Sequence, residues 1–212
     1  MKEYEYYLFD FDGTLCDTTE GIFNSILYSL ECYGIIEKDI EKLNYFVGPP
    51  LFESYKTVYG VSDEDAQWLI NKYRERYKEK AAEESVLYNG ITELLERLKK
   101  GGKKIAVASS KPQKFVEEIA QHLGIYDYFD FIAAETFTSN HSSKEELINS
   151  CLTFFSNPNK GKAIMIGDRF YDIDGAKAVG IDSAGAVYGF GTEEELKNAG
   201  ATYILYTPKD LY

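Results

Sequence analysis

YYLFDFDGTLCDTTEGI, residues 6–22, joins two kinds of chain that seldom meet. Tyr6, Tyr7, Leu8 and Phe9 suit a central strand buried on both faces. Asp10 and Asp12 do not. Two carboxylates one residue apart repel each other, and removing them from water is costly without a compensating positive charge. A buried strand that ends in two acids and a glycine therefore predicts a cation at its C-terminal end.

Outward from that strand, read as Glu5 to Phe9, the chain changes character twice. From Thr18 to Lys80 only helical periodicity appears. The first helix covers Thr18 to Tyr33, with Ile22, Ile26, Leu30 and Tyr33 on one face and Gly34 at its end. Helical stretches follow over Asp39–Phe46, Pro50–Tyr59 and Asp63–Lys80, the last N-capped by Ser62. No strand signal occurs before Ser85, so residues 18–84 read as a helical module inserted into a core made of residues 1–17 and 85–212.

Past Ser85, helices and strands alternate. A helix at Gly90–Lys100 precedes the strand KKIAVASS, which ends at Ser109. A helix at Pro112–Leu123 precedes FDFIAA. A helix in SSKEELINSCLTFF, with Ser142 and Glu145 as its capping box, precedes KAIMIGD. The helix DIDGAKAVG and two weaker strands, IDSAGAVYG and ATYIL, complete the pattern. Such alternation implies right-handed crossovers and an α/β, Rossmann-like, mostly parallel sheet with helices on both faces. Ligands of these folds gather at the carboxyl ends of strands. Four polar motifs stand there: Asp10–Thr14, Ser109–Lys111, the Lys144 region and Asp168–Asp172.

Composition narrows the function. A formal net charge of -12 lacks the basic footprint of a protein that binds a nucleic-acid polymer, although local cations can still hold a small anion. Cys16, Cys32 and Cys151 form no CxxC pair, which fits a reduced interior. Acids interrupt the start MKEYEYYLFDFDG, so it does not read as a signal peptide, and no window approaches a membrane span. The expectation is a cytoplasmic protein, a monomer, with no membrane partner.

The chemistry rests on the strand ends. Asp10 and Asp12 read as a carboxylate that attacks and one that shuttles a proton, against the bland alternative of a loop acid and a helix-capping acid. Gly13 permits a tight turn and Thr14 offers a hydroxyl. Asp168 ends a buried strand, and Asp172, four residues on, lies on the same side if a helix begins there. With Asp10 they make an oxygen cluster suited to Mg2+, to which Asp12 can lend its backbone carbonyl. Ser109, Ser110 and Lys111 suit an anion, though SSKP is also an ordinary turn. Lys144 in a first helical turn opposes the helix dipole unless a phosphate lies beside it. His122 and His141 have no spacing for zinc or a triad. GFGTEEELKNAG holds a glycine pair but lacks a dinucleotide fingerprint.

Taken together, DFDGTL, ASSK, Lys144 and GDRFYDIDGAKAVG resemble the four motifs of the haloacid dehalogenase-like superfamily, across essentially the whole chain. The helical insertion resembles the type 1 cap of its phosphoglycolate phosphatase and beta-phosphoglucomutase branch. The resemblance implies Asp10 as nucleophile and Asp12 as general acid/base. It implies phosphate binding by Gly13, Thr14, Ser109, Ser110 and Lys144, and a metal held by Asp10, Asp12, Asp168 and Asp172. Where many relatives carry prolines after the third-motif lysine, this chain reads NHSSKEEL.

The expected activity is Mg2+-dependent hydrolysis of a small phosphorylated metabolite through an aspartyl phosphate, as in phosphoglycolate phosphatase. A 5'-nucleotidase or inorganic pyrophosphatase is an alternative on the same site. A sugar-phosphate mutase would use the same two acids, and a non-catalytic phosphometabolite-binding domain is the non-enzyme alternative, against which intact Asp10 and Asp12 weigh. Tyr45, Phe46, Phe52 and Tyr55 read either as a surface for stacking a base or as packing. Arg74 and Arg76 read either as carboxylate binders or as a solvated face.

Overall fold

Strand β1 (Tyr6–Phe9) is hydrogen-bonded on both sides within a six-stranded sheet, in the computed structural model, which describes residues 1–136 and 142–211. In chain order there follow β2 (Cys16–Asp17), α1 (Thr19–Tyr33), a 3-10 turn (Ile40–Phe46), α2 (Leu51–Tyr59), α3 (Asp63–Lys80) and β3 (Val86–Leu87). Then come α4 (Ile91–Lys100), β4 (Lys104–Pro112), α5 (Gln113–His122), β5 (Phe131–Glu135), α6 (Lys144–Phe154) and β6 (Ala163–Gly167). The chain closes with α7 (Phe170–Val179), β7 (Asp182–Ala186), α8 (Glu193–Ala199) and β8 (Tyr203–Leu205).

The large sheet has the order β5-β4-β1-β6-β7-β8, and every pairing in it is parallel. From β1 the chain builds outward through β4 and β5 on one side, then returns to add β6, β7 and β8 on the other. The reversal places a crevice at the carboxyl end of β1. Phe9 pairs with Val107 of β4 and Ile166 of β6, so Asp10, Ser109 and Asp168 emerge beside one another. The middle stretches of these three strands are apolar: Leu8, Phe9, Ile105–Ala108 and Ala163–Ile166 are all fully buried.

The chain divides into two compact units. One joins Met1–Asp17 to Val86–Tyr212; the other is Thr18–Ser85. The second is helical among its described residues and has its own core, including Ile26, Leu30, Leu43, Tyr55 and Leu69. Phe46 and Tyr55 belong to that core, with ring centroids 4.8 Å apart, which makes them packing residues. Tyr45 is exposed. Arg76 spends its guanidinium on Glu84 of the same unit, at 2.7 and 2.6 Å. Ser62 caps α3 by accepting a hydrogen bond from the Asp65 amide.

Two local readings need correction, and one element went unread. The capping box of α6 is Ser143 with Glu146, one residue later than expected: the Glu146 amide donates to Ser143 Oγ at 3.2 Å and the Ser143 amide to Glu146 Oε2 at 2.7 Å. The reason lies outside the helix, because Glu135 at the end of β5 captures the Ser142 amide. β4 does not stop at Ser109. Its register with β5 shifts between Ser109 and Pro112, and Pro112 rejoins the ladder opposite Glu135. A bulge tolerates a proline, which has no N–H to give. The antiparallel ribbon of β2 with β3 carried no signal, since two residues per strand show no period.

Because α6 starts at Lys144, its cap sets where that lysine stands. Ser143→Ala should lower stability by about 1 kcal/mol, whereas Ser142→Ala should change it by only a few tenths at most. Urea unfolding of the two variants checks this; equal effects would contradict the observed cap.

Candidate active site

Four carboxylates and two lysines meet at the carboxyl ends of β1, β4 and β6. Asp10 follows directly on β1, and its Oδ1 accepts a hydrogen bond from the Phe11 amide at 2.7 Å. The chain then turns sharply, with the Leu15 amide donating to the Phe11 carbonyl and the Gly13 amide to the Cys16 carbonyl. Gly13 has φ +77°, and a side chain there would come within 2.6 Å of the Phe190 ring as well as overlapping Asp168. Only glycine fits both demands.

Lys144 reaches in from the first turn of α6. Its Nζ lies 2.8 Å from Asp172 Oδ1, 3.1 Å from Asp10 Oδ1 and 3.0 Å from the Ala108 carbonyl. Burial opposes the charge on Lys144, but Asp10 and Asp172 outweigh it and hold the ammonium protonated, with its pKa raised. Asp12 turns to a different cation: Lys111 Nζ contacts both its oxygens, at 3.0 and 2.9 Å. The β4 bulge delivers that lysine, whose side chain is only 6% exposed.

Asp168 is fully buried and receives a hydroxyl from Thr14 at 3.2 Å and the Phe190 amide at 2.9 Å. Burial first, then Asp172 and Asp10, push its carboxyl well above the usual range. Burial likewise raises Asp10, against the pull of Lys144. Asp172, also fully buried, accepts the Arg169 amide through Oδ2 at 3.1 Å. Its Oδ1 is paired in charge with Lys144 yet accepts no directed hydrogen bond.

The donor set fits a hard divalent cation. Asp10, Asp168 and Asp172 each offer an oxygen, all within 4.8 Å of one another. Among the described residues, Lys144 is the lysine paired with two of these three carboxylates, and the set itself is all oxygen, with no soft ligand in it. The carboxylate of Asp12 stands apart from this cluster, on Lys111.

The remaining residues expected at the site are close at hand. Ser109 is buried, and its Oγ accepts the Lys111 amide at 3.3 Å. Ser110 is exposed on the bulge. The Thr14 hydroxyl is engaged with Asp168. His141 lies outside the described residues.

Sequence reasoning set aside one segment that the site uses. Gly189, Phe190 and Gly191 wrap the Asp168 turn: a side chain at Gly189 would overlap the Gly13 carbonyl and come within 2.5 Å of Asp168 Cβ. Tyr188 donates its hydroxyl to the Thr14 carbonyl at 3.1 Å. The glycine pair was itself the signal; its partner lay far away in sequence.

This geometry has a counterpart among known proteins. The family model described as haloacid dehalogenase-like hydrolase matches residues 7–186. The chain belongs to the haloacid dehalogenase-like hydrolases. The hydrolase is similar to a protein named 5'-nucleotidase from Pseudomonas aeruginosa, 39% identical over 92% of this chain and 87% of that one. It is also similar to a phosphoglycolate phosphatase from Colwellia psychrerythraea, 26% identical over 100% of this chain and 96% of that one. Among solved structures, a candidate phosphatase from Clostridium difficile superposes with TM-score 0.93 at 43% identity, covering 100% of this chain and 98% of that chain.

Gly189→Ala should destabilise the hydrolase by about 1–3 kcal/mol through overpacking against atoms that cannot move aside, and should cut turnover by displacing Asp168. Thermal melting and a turnover assay check both; an unchanged melting temperature would contradict this packing.

Proposed function

We propose that the hydrolase is a Mg2+-dependent phosphatase that cleaves small phosphate monoesters through an aspartyl phosphate on Asp10. The observation that carries this reading is the division of cations between the two acids: Lys144 faces Asp10 and Lys111 faces Asp12. Two neighbouring carboxylates in different surroundings suit different tasks.

The Phe11 amide and Lys144 both engage Asp10 Oδ1, which directs Oδ2 toward phosphorus. That oxygen forms a bond to phosphorus as the ester P–O bond breaks, and the leaving oxygen takes its electron pair and a proton from Asp12. Asp12 then takes a proton from water. The water oxygen attacks phosphorus, and the aspartyl bond returns its electrons to Asp10 with release of phosphate. Lys144, Ser109 and neighbouring amides stabilise charge on the phosphoryl oxygens. Asp10, Asp168 and Asp172, with the Asp12 carbonyl as a further oxygen, would hold Mg2+, which would supply Lewis-acid charge neutralisation.

For the leaving group, similarity to the Pseudomonas aeruginosa 5'-nucleotidase favours a nucleoside monophosphate over phosphoglycolate. The helical unit Thr18–Ser85 is proposed as the cap that chooses between them, with exposed Tyr45 as a candidate base contact.

Asp10→Asn should lower kcat by more than about a thousandfold with the circular dichroism spectrum intact; substantial turnover in a folded, deamidation-free variant would remove Asp10 as nucleophile. Chelator-stripped enzyme should be inactive on a panel of nucleoside monophosphates, phosphoglycolate and pyrophosphate until Mg2+ is returned. Full activity without metal would overturn the metal assignment, and Tyr45→Ala should lower the ratio of nucleotide to phosphoglycolate rates if that residue reads the base.

A further inference from the structure

The proposed mechanism needs Asp12 aimed at the leaving oxygen in one step and at water in the next. Asp12 lies within the sharp turn that the Phe11 carbonyl closes, and its carboxylate is only partly buried, so the backbone alone does not fix its rotamer. Lys111 grips it by both oxygens.

Lys111 is built for this contact. A lysine whose side chain is 6% exposed has given up most of its hydration and depends on its partner. It sits at the β4 bulge, where the register against β5 shifts, and bulges re-aim side chains. Its own amide is tied to Ser109 Oγ, so the backbone beneath it is anchored to the strand end beside the site.

Resting on the phosphatase reading, we infer that Lys111 is a positioning residue for Asp12, distinct in task from Lys144. The two-oxygen contact seen here holds the Asp12 carboxylate; once Asp12 is protonated, the ammonium keeps the unprotonated oxygen and leaves the proton-carrying one directed at the leaving group. In the second step the same contact presents the carboxylate to water. Lys111 does not transfer the proton and takes no part in bond making at phosphorus.

This assignment makes a demand that simple anion binding does not. Loss of Lys111 should harm turnover in proportion to how much the leaving group needs its proton. Alkoxides leave poorly without one; p-nitrophenolate leaves readily. The variant Lys111→Met keeps the length and removes the ammonium. Stopped-flow p-nitrophenol release, and rapid-quench single turnovers of AMP and phosphoglycolate, compare it with wild type.

The expected result is a fall of about a hundredfold in the phosphorylation rate for both alkyl esters. The p-nitrophenol burst rate should stay within a few-fold, followed by a slow steady state because Asp12 must still activate water. Lys111→Arg should recover a large part of the alkyl-ester rate. Equal losses on alkyl and aryl esters, or a rise in KM with kcat intact, would overturn the inference and make Lys111 an anion-binding group. Should Lys111→Met fail to fold, Lys111→Gln and Lys111→Arg are read by the same ratio. Asp10→Asn separates the two levels of the account. It should abolish burst and turnover on every ester. If it does not, the phosphatase mechanism fails; if it does and the ratio is flat, only the Lys111 assignment fails.

Discussion

The cost of burying carboxylates governs this molecule. Asp10, Asp168 and Asp172 stand within 4.8 Å of one another beyond the ends of apolar strands, where charge is expensive. The sheet brings them together because β1, which carries Asp10, runs beside β6, which leads to Asp168, and the first turn of α7 holds Asp172. One lysine enters that cluster and a second serves Asp12. The negative charge left over is what a divalent cation would balance.

The same constraint explains the glycines. Carboxylates and the backbone that aims them need close approach, and Gly13, Gly167, Gly189 and Gly191 all stand where an added side chain would strike Asp168, Asp172 or their backbone. Gly175 gives Lys144 its passage along α7 in the same way. Rigidity of the site is therefore distributed over segments far apart in sequence.

The acids were legible because a buried strand should not end in Asp-Phe-Asp-Gly, and the same anomaly recurs at Asp168. Strand and helix alternation gave the parallel sheet, and the helical run from Thr18 onward marked a separate unit. What stayed hidden depended on distant partners. Ser143 takes the cap that Ser142 was expected to hold, and the Ser142 amide goes to Glu135 instead. Phe190 serves Asp168 through a backbone N–H, which leaves no side-chain trace. Lys111 reads as turn chemistry until the bulge shows which way it faces.

The central claim is that Asp10 becomes covalently phosphorylated. Rapid acid quench during AMP turnover, borohydride reduction of any acyl phosphate and peptide mass spectrometry test it directly. The account predicts conversion of residue 10 to homoserine, dependent on substrate and on Mg2+. Reduction at another aspartate, or none in Asp12→Asn enzyme given p-nitrophenyl phosphate, whose leaving group needs no proton and whose intermediate should therefore accumulate, would contradict it.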